Sequence, residues 1–260
     1  MNDDFSFVII IHIISGIVAA FIAFPIAIAA RKGSLPHVIA GKTFLLSYLL
    51  ICFTGYILDY QELKSIFFMS QKASFNFYSY DSVYNSGERT RLHVFFTAAI
   101  NTFAAYLVIS GWRIASQHYK GTKTALDKIF DISIALLLIF GCIVFFKTGV
   151  VSLSQNKNPS YVLLHKTQII CILAAISLGG FVEATLDILR ATGCYVLKRW
   201  WLEHMRKMFL AEFGLIIAFI YRCYYWKYSK ELLIFSIIFF SCLFVFMYLR
   251  MKKSNNKKLK

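Results

Sequence analysis

Long apolar segments, separated by shorter polar and basic ones, make up most of the sequence. A membrane-spanning helix needs about 20 mostly apolar residues. Seven segments reach this length, at about 5–30, 39–58, 92–113, 128–149, 162–185, 205–225 and 231–250. Their apolar positions are continuous rather than alternating, which favours helices over the strands of a barrel. The pattern therefore predicts an all-α, polytopic bundle of about seven spanning helices.

No internal repeat or soluble segment divides the chain further. We predict a single transmembrane helix-bundle domain over residues 1–250 and a polybasic cytoplasmic tail over residues 251–260. The longest connection, residues 60–91, is rich in polar and aromatic side chains and is predicted to be a loop on the membrane surface. The last apolar segment, 231–250, carries almost no polar residue and is expected to face lipid.

The composition supports lipid as the surrounding solvent. Hydrophobic residues make up 58% of the chain and charged residues only 16%, and the mean hydropathy is +0.63. A soluble domain is about 45–50% apolar and about 25% charged. The net charge of +15 is spread over the ends of apolar segments instead of forming one stripe, so nucleic acid is not an expected partner.

The basic residues also predict the orientation. Of the 28 lysine and arginine residues, 18 fall on one side of the predicted membrane and 10 on the other. The positive-inside rule then places the N-terminus outside and the C-terminus in the cytoplasm. The first segment follows Asp3 and Asp4 and is too long for the apolar part of a signal peptide, so we interpret it as a retained helix. We expect an integral membrane protein.

Membrane lipid is the expected partner. The tail "RMKKSNNKKLK" is predicted to attract anionic lipid, at about 1 kcal/mol per charge near the surface. The alternative is that the tail only fixes topology. The sequence is compatible both with membrane partner subunits and with a homo-oligomer.

Ionisable residues inside spanning helices are costly, so each is a candidate functional residue. Helical spacing sorts them into two groups. The outer group contains three histidines with two amides nearby: His12, His93, His165, Asn101 and Gln168. The inner group contains histidines, carboxylates and arginines: His37, His204, Asp131, Glu183, Asp187, Glu212, Arg190 and Arg206.

Three functions are compatible with these groups. Imidazoles on facing helices are what haem b or a transition metal requires, so redox or electron transfer is the first hypothesis, with His12, His37, His93, His165 and His204 as candidate ligands. The second is a transporter or channel for a small solute, a lipid or protons, with Glu183, Asp187, Glu212 and Asp131 as the polar path. The third is a non-catalytic scaffold or partner subunit whose polar side chains only hold helices together.

Structural roles compete with each of these assignments. Histidines at helix ends are commonly interfacial, and His12 is equally suited to a packing hydrogen bond. Glu212 is expected, on this alternative, only to neutralise Arg206 or Arg222, and Glu183 and Asp187 to form a structural pair with Arg190.

No enzyme signature is present, and a non-enzymatic role is favoured. The chain lacks H-E-x-x-H, G-x-S-x-G, Walker and G-x-G-x-x-G motifs. The six cysteines form no C-x-x-C pair and lie mostly inside apolar segments, so we interpret them as packing residues. No metal site is assigned.

Two stretches, "HIISGIVAAFIAFPIAIAARKGSLPHVIAGKTF" and "WWLEHMRKMFLAEFGLIIAFIYR", resemble the bacterial multi-pass family called domain of unknown function 2306. The matching positions are His12, Gly16, Lys32, Gly33, His37, Gly41, His204, Met208 and Arg222. The resemblance covers the first two predicted helices and the sixth. It brings no established activity. It implies a bacterial inner membrane as the location, and it implies that His37 and His204 belong together at one membrane face.

The turn between the first two helices connects this resemblance to local geometry. We expect Gly33 and Pro36 to form the turn and Gly41 to let the second helix start close to a neighbour. Gly16, on the face of His12, is expected to allow a similarly close approach. His37 would point under the bundle towards His204, or alternatively cap the second helix.

Overall fold

The computed structural model describes residues 3–73, 80–120, 124–154, 162–195 and 200–225. These ranges are helical and contain no strand. The helices are α1 (Asp3–Ile17), a π-helical segment (Val18–Ala23), α2 (Phe24–Ala29), α3 (Leu35–Ala73), α4 (Tyr80–Lys120), α5 (Ala125–Ser154), α6 (Val162–Thr192) and α7 (Trp200–Tyr225). The predicted all-α class is confirmed. The apolar segment 231–250 and the tail 251–260 lie outside the described residues.

Three helices are long and apolar enough to cross a membrane: Phe7–Ala29, Leu35–Lys64 and Ala125–Lys147. They coincide with the first, second and fourth predicted spans. Large apolar side chains such as Leu137 and Phe140 point out of the bundle on α5. An extended apolar surface of this kind is typical of a face covered by lipid. The three helices indicate a membrane protein.

The first span is one continuous helix with a local π-helical turn before Pro25. The Phe24 N–H bonds to the carbonyl of Ala19, five residues earlier. Proline has no N–H, and its ring crowds the carbonyl four residues before it, so the helix widens locally. Ala19 and Ala23 of this segment are buried against the rest of the bundle.

The turn at Gly33 is confirmed. Gly33 has φ of 79°, in the left-handed region that favours glycine. The Ser34 hydroxyl and N–H both donate to the Arg31 carbonyl, at 2.6 and 3.0 Å. Pro36 lies in the first turn of α3, where its missing N–H has no cost.

Two expectations about close helix contacts are wrong. Within the part of the chain that the structure describes, no atom lies within 4 Å of a Cβ built on Gly16 or Gly41. The close approaches occur at other glycines. A Cβ on Gly111 would lie 3.1 Å from Lys207 Cβ, and one on Gly180 would lie 2.6 Å from Cys142 Sγ. Small residues therefore permit the α4–α7 and α5–α6 contacts.

The long surface loop predicted at residues 60–91 is also wrong. Helix α3 continues to Ala73 and α4 begins at Tyr80, and only 74–79 lie outside the described residues. Residues 60–73 contain no glycine or proline and include strong helix formers such as Gln61, Glu62 and Lys64. The helices therefore extend beyond their apolar segments.

Helix α4 is central to the described bundle and packs against α3, α5, α6 and α7. The interior contains Tyr48 from α3, Leu107 and Val108 from α4, Ala184 from α6 and Ala211 from α7. The C-terminal half of α4, the start of α5, the end of α6 and the start of α7 meet at one end of the bundle. Most of the ionisable side chains lie at this end.

Candidate functional site

Lys207 is the centre of a set of buried charges that we call the ionic network. Its side chain is 0% exposed, and its ammonium group lies 2.7 Å from Asp187 Oδ2 and 3.4 Å from Glu183 Oε2. It also donates to the Ser110 hydroxyl at 2.9 Å. An ammonium group this deeply buried is stable only when it is paired, and here α4 and α6 supply the partners.

Asp187 collects several donors on one carboxylate oxygen. Tyr106 donates its hydroxyl at 2.5 Å, and Ser110 and Lys207 donate to the same oxygen. Burial raises the pKa of Asp187, but the positive charges of Lys207 and Arg190 lower it by more. The net pKa therefore lies below its ordinary value. Asp187 is therefore held as a carboxylate.

Asp131 forms the second half of the ionic network, on α5. It accepts hydrogen bonds from Arg113 Nε at 2.5 Å and from Gln117 Nε2 at 2.8 Å. Arg190 links the halves, since its guanidinium lies 3.5 Å from Asp187 Oδ1 and 3.8 Å from Asp131 Oδ2. The predicted inner residues Asp131, Asp187 and Arg190 are thus brought together.

Glu183 pairs with Arg206 through both carboxylate oxygens. Arg206 is further bonded to Glu203 on its own helix. The expectation that Glu212 neutralises Arg206 is therefore wrong, because Arg206 faces α6 instead. The side chain of Arg222 lies outside the described residues.

Lys207 is not identified as a site residue from the sequence, because this lysine is used only in the count of basic residues that predicts the orientation. A usable signal was present. Lys207 shares a helix face with Ala211 and Gly214, and small residues on one face indicate close packing against a neighbouring helix. A lysine on such a face must be buried with partners.

His37 and His204 lie at the same end of the bundle as the ionic network. His37 Nδ1 donates to the Ala27 carbonyl at 2.7 Å, and His204 Nδ1 donates to the Gly111 carbonyl at 2.8 Å. A carbonyl only accepts, so each Nδ1 carries a proton, and in the neutral form of each ring the lone pair is on Nε2. The alternative that His37 caps α3 is wrong, because its partner belongs to α2.

The start of α7 meets the Gly33 turn. The Lys32 ammonium lies 3.9 Å from the centre of the Trp201 ring. Burial lowers the pKa of His204, and the nearby charges of His37 and Lys32 lower it further. His37 and His204 are therefore neighbours at this end of the bundle.

The outer group is only partly described. His12 Nδ1 lies 2.9 Å from the Thr54 hydroxyl, which itself donates to the carbonyls of Leu50 and Ile51. His12 therefore makes a hydrogen bond between helices α1 and α3. The side chains of His93, His165 and Gln168 lie outside the described residues, so ligation by the three outer histidines stays a prediction. Asn101 packs against Gly55.

Glu212 differs from the carboxylates of the ionic network. It lies at the middle of α7 and is 2% exposed. Neither of its carboxylate oxygens has a hydrogen-bond partner among the described residues. On α3, the Tyr48 hydroxyl donates to the neighbouring carbonyl of Ala211 and lies within electrostatic range of Glu212.

Within the part of the chain that the structure describes, no three histidine, cysteine or carboxylate side chains are grouped to hold a metal ion. No protein-family model, curated protein or solved structure matches the chain. The resemblance to domain of unknown function 2306 stays a prediction.

Proposed function

We propose that this protein is a proton-coupled membrane carrier in which Glu212 takes up and releases the coupled proton. The observation that carries the proposal is the isolation of Glu212. It is a buried carboxyl group in the middle of a helix, and neither oxygen has a hydrogen-bond partner among the described residues.

The protonation state of such a group depends on its surroundings. Burying an isolated carboxylate without a partner is far more costly than burying the neutral acid, so the group holds its proton. A rearrangement that brings water or a cation to Glu212 would release the proton. A carrier needs a group of this kind, whereas a purely structural carboxylate needs a permanent partner.

The ionic network supports the same interpretation from one end of the bundle. Lys207 precedes Glu212 by five residues, which is about 7.5 Å along the helix axis. Lys207, Asp187 and Asp131 connect four helices around this end. An ion-paired network of this kind can hold one side of a carrier closed while substrate occupies a site deeper in the bundle.

The π-helical turn in the first helix adds support. Carriers commonly place substrate sites beside helices that are irregular near the membrane midplane, and π-helical turns are frequent at functional sites. The π-helical segment Val18–Ala23 packs into the same core as Tyr48 and Ala211. Ala211 is the residue immediately before Glu212.

The proposal keeps the sequence predictions about topology. Seven spanning helices, an outer N-terminus, a cytoplasmic C-terminus and a bacterial inner membrane would place the ionic network on the cytoplasmic side. The carrier would then exchange protons with the cytoplasm through that end.

A second candidate is a redox protein with haem b or a metal held by histidine. His37 and His204 favour it, because both Nδ1–H groups are fixed on carbonyls, which would leave each Nε2 to bind a metal. Histidines that ligate metals are oriented in this way. An absorption spectrum of the purified protein, oxidised and reduced, tests it, since a Soret band lost in H204A would establish haem.

Infrared spectroscopy of the detergent-purified full chain tests the proton-carrying role. The protonated carboxyl of Glu212 should give a C=O band above the amide region, and transfer to D₂O should shift it within minutes. Glu212→Gln should remove this band. Glu183→Gln is the matched control, because Glu183 is paired with Arg206 and should contribute no such band.

Two outcomes would overturn the proposal. If E212Q has the same carboxylic acid bands as the native chain, Glu212 is ionised and does not carry a proton. If the band is present but D₂O does not shift it over hours, Glu212 is sealed and serves only packing.

A further inference from the structure

Aromatic rings pack together against the part of α7 that carries Glu212. Four rings from three parts of the chain form what we call the aromatic cluster: Phe24, Phe44, Tyr48 and Phe209. Phe24 lies 5.4 Å from Phe44 and 5.3 Å from Phe209, and Phe44 lies 5.3 Å from Tyr48, measured between ring centres. Tyr48 connects the cluster to α7 through the carbonyl of Ala211.

Glu212 lies beside this cluster on α7. Phe209 precedes it by three residues, so the two side chains lie on the same face of the helix. Tyr48 reaches the residue next to it. The three elements that meet here are the end of the π-helical segment with α2, the first half of α3, and the middle of α7.

A buried carboxyl group that has no hydrogen-bond partner in the described part of the chain and lies beside several aromatic rings has the chemistry of an organic-cation site. Ring faces attract ammonium and other organic cations, most strongly when water is excluded. A carboxylate supplies the countercharge, and an apolar surround favours cations with a large apolar surface over hydrated metal ions. The ionic network lacks this combination, because its carboxylates are already paired with Lys207, Arg190 and Arg206.

We infer that Glu212 and the aromatic cluster bind a lipophilic organic cation, an ammonium or phosphonium, in exchange for the proton of Glu212. This inference rests on the proposed proton-carrying role and names the class of substrate. The exchange is balanced: the cation pairs with the carboxylate, and one proton leaves the carboxyl group. No covalent bond other than O–H breaks or forms.

Other titratable groups near the site do not compete for this proton. On α3, Tyr48 and Cys52 face it, and these side-chain types ordinarily ionise above pH 8. The π-helical segment and α2 contribute no ionisable side chain. On α4 and α7, Tyr106 and Lys207 are both bonded to Asp187. Glu212 is thus the group at this site whose charge changes when the cation binds.

Binding of radiolabelled tetraphenylphosphonium to the detergent-purified full chain tests the inference. Saturable binding is expected, and it should weaken by about tenfold per unit of pH once the acid form of Glu212 dominates, because protons and cation compete. Glu212→Gln should abolish binding, whereas Glu212→Asp should retain it with lower affinity.

A matched pair of phenylalanines tests the aromatic contribution. Phe209→Leu should weaken binding by about five- to tenfold, which is the size of one cation–aromatic contact. Phe213→Leu is the control, because Phe213 is 59% exposed on the same helix and should leave affinity unchanged. Unfolding temperatures of both variants show whether either has lost its fold.

Failure of the inference is distinguishable from failure of the carrier proposal. If the native chain exchanges the Glu212 proton in D₂O but shows no saturable, pH-dependent binding, the aromatic cluster is only core packing and the cation site is wrong. Equal binding by E212Q and the native chain also overturns it. If no exchange occurs, the proposed function itself is wrong.

Discussion

The ionic network and the Glu212 site are both buried in the same bundle, yet their carboxyl groups differ in whether they have hydrogen-bond partners among the described residues. Asp187 accepts hydrogen bonds from Tyr106, Ser110 and Lys207. Glu212, at the middle of α7, accepts none from the described residues. Burial alone therefore does not indicate function here. The informative difference is whether a buried charge has been given partners.

The comparison separates structural roles from exchangeable ones. A paired carboxylate resists any change in protonation, because losing its charge strands the cation beside it. An isolated carboxyl group changes its charge whenever its surroundings change. We therefore expect substitutions in the ionic network to affect stability and substitutions at Glu212 to affect proton exchange.

The largest expected effect comes from breaking the ionic network at its centre. Asp187→Asn should destabilise the protein by about 3–5 kcal/mol, because it leaves the buried ammonium of Lys207 without its closest charged partner. Unfolding of the purified protein followed in detergent measures this. The double variant D187N/K207M should cost clearly less than the two single variants together. Additive losses would mean that the pair is not coupled.

A pair of adjacent glycines separates packing from proton exchange. Gly180→Ala should cost about 1–3 kcal/mol, because its Cβ would lie 2.6 Å from Cys142 Sγ. Gly179→Ala should be nearly neutral, since its closest neighbour would be Phe103 Cζ at 3.8 Å. Neither should change the exchange of the Glu212 proton. An effect of G180A on that exchange would show that α5–α6 packing controls the site.

Glu212→Gln should change stability by less than about 1 kcal/mol, in either direction. The amide has the shape of the neutral acid, and no ion pair is lost from the described structure. The same unfolding measurement as for D187N gives the comparison directly. A loss as large as that of D187N would show that Glu212 is ionised and paired, and the contrast between the two regions would fail.

The smallest expected effect concerns pH. Burial lowers the pKa of His204, so the unfolded chain binds a proton at His204 that the folded chain does not. Stability should therefore fall as pH drops through about 6.5, the ordinary histidine value. His204→Gln should make the stability less dependent on pH in this range. An unchanged dependence would mean that other groups account for it.

The sequence was sufficient for the helical class, the first span and the turn at Gly33, because each depends on local patterns. It also grouped Asp131, Asp187 and Arg190 correctly, because the predicted topology places the helix ends that carry them on the same side of the membrane. It was insufficient to predict which charged side chains pair with each other. Arg206 pairs with Glu183 and Lys207 is fully buried, and both facts depend on how α7 is rotated against α4 and α6. Periodicity defines faces within a helix, not which neighbour each face meets.

Helix length was also mispredicted, and for a related reason. An apolar segment marks only the part of a helix that is in contact with lipid or with the core. The helix itself can continue through polar residues until a helix-breaking residue ends it. Residues 60–73 continue α3 because they contain no glycine or proline. The predicted contacts at Gly16 and Gly41 were wrong because a glycine permits a close approach without requiring one.

A proton-binding titration of the native chain and E212Q, recorded potentiometrically in the same detergent, tests the central claim most directly. The native chain should bind one more proton per molecule than E212Q between alkaline and acidic pH. Identical proton uptake by the native chain and E212Q would contradict the claim that Glu212 carries an exchangeable proton.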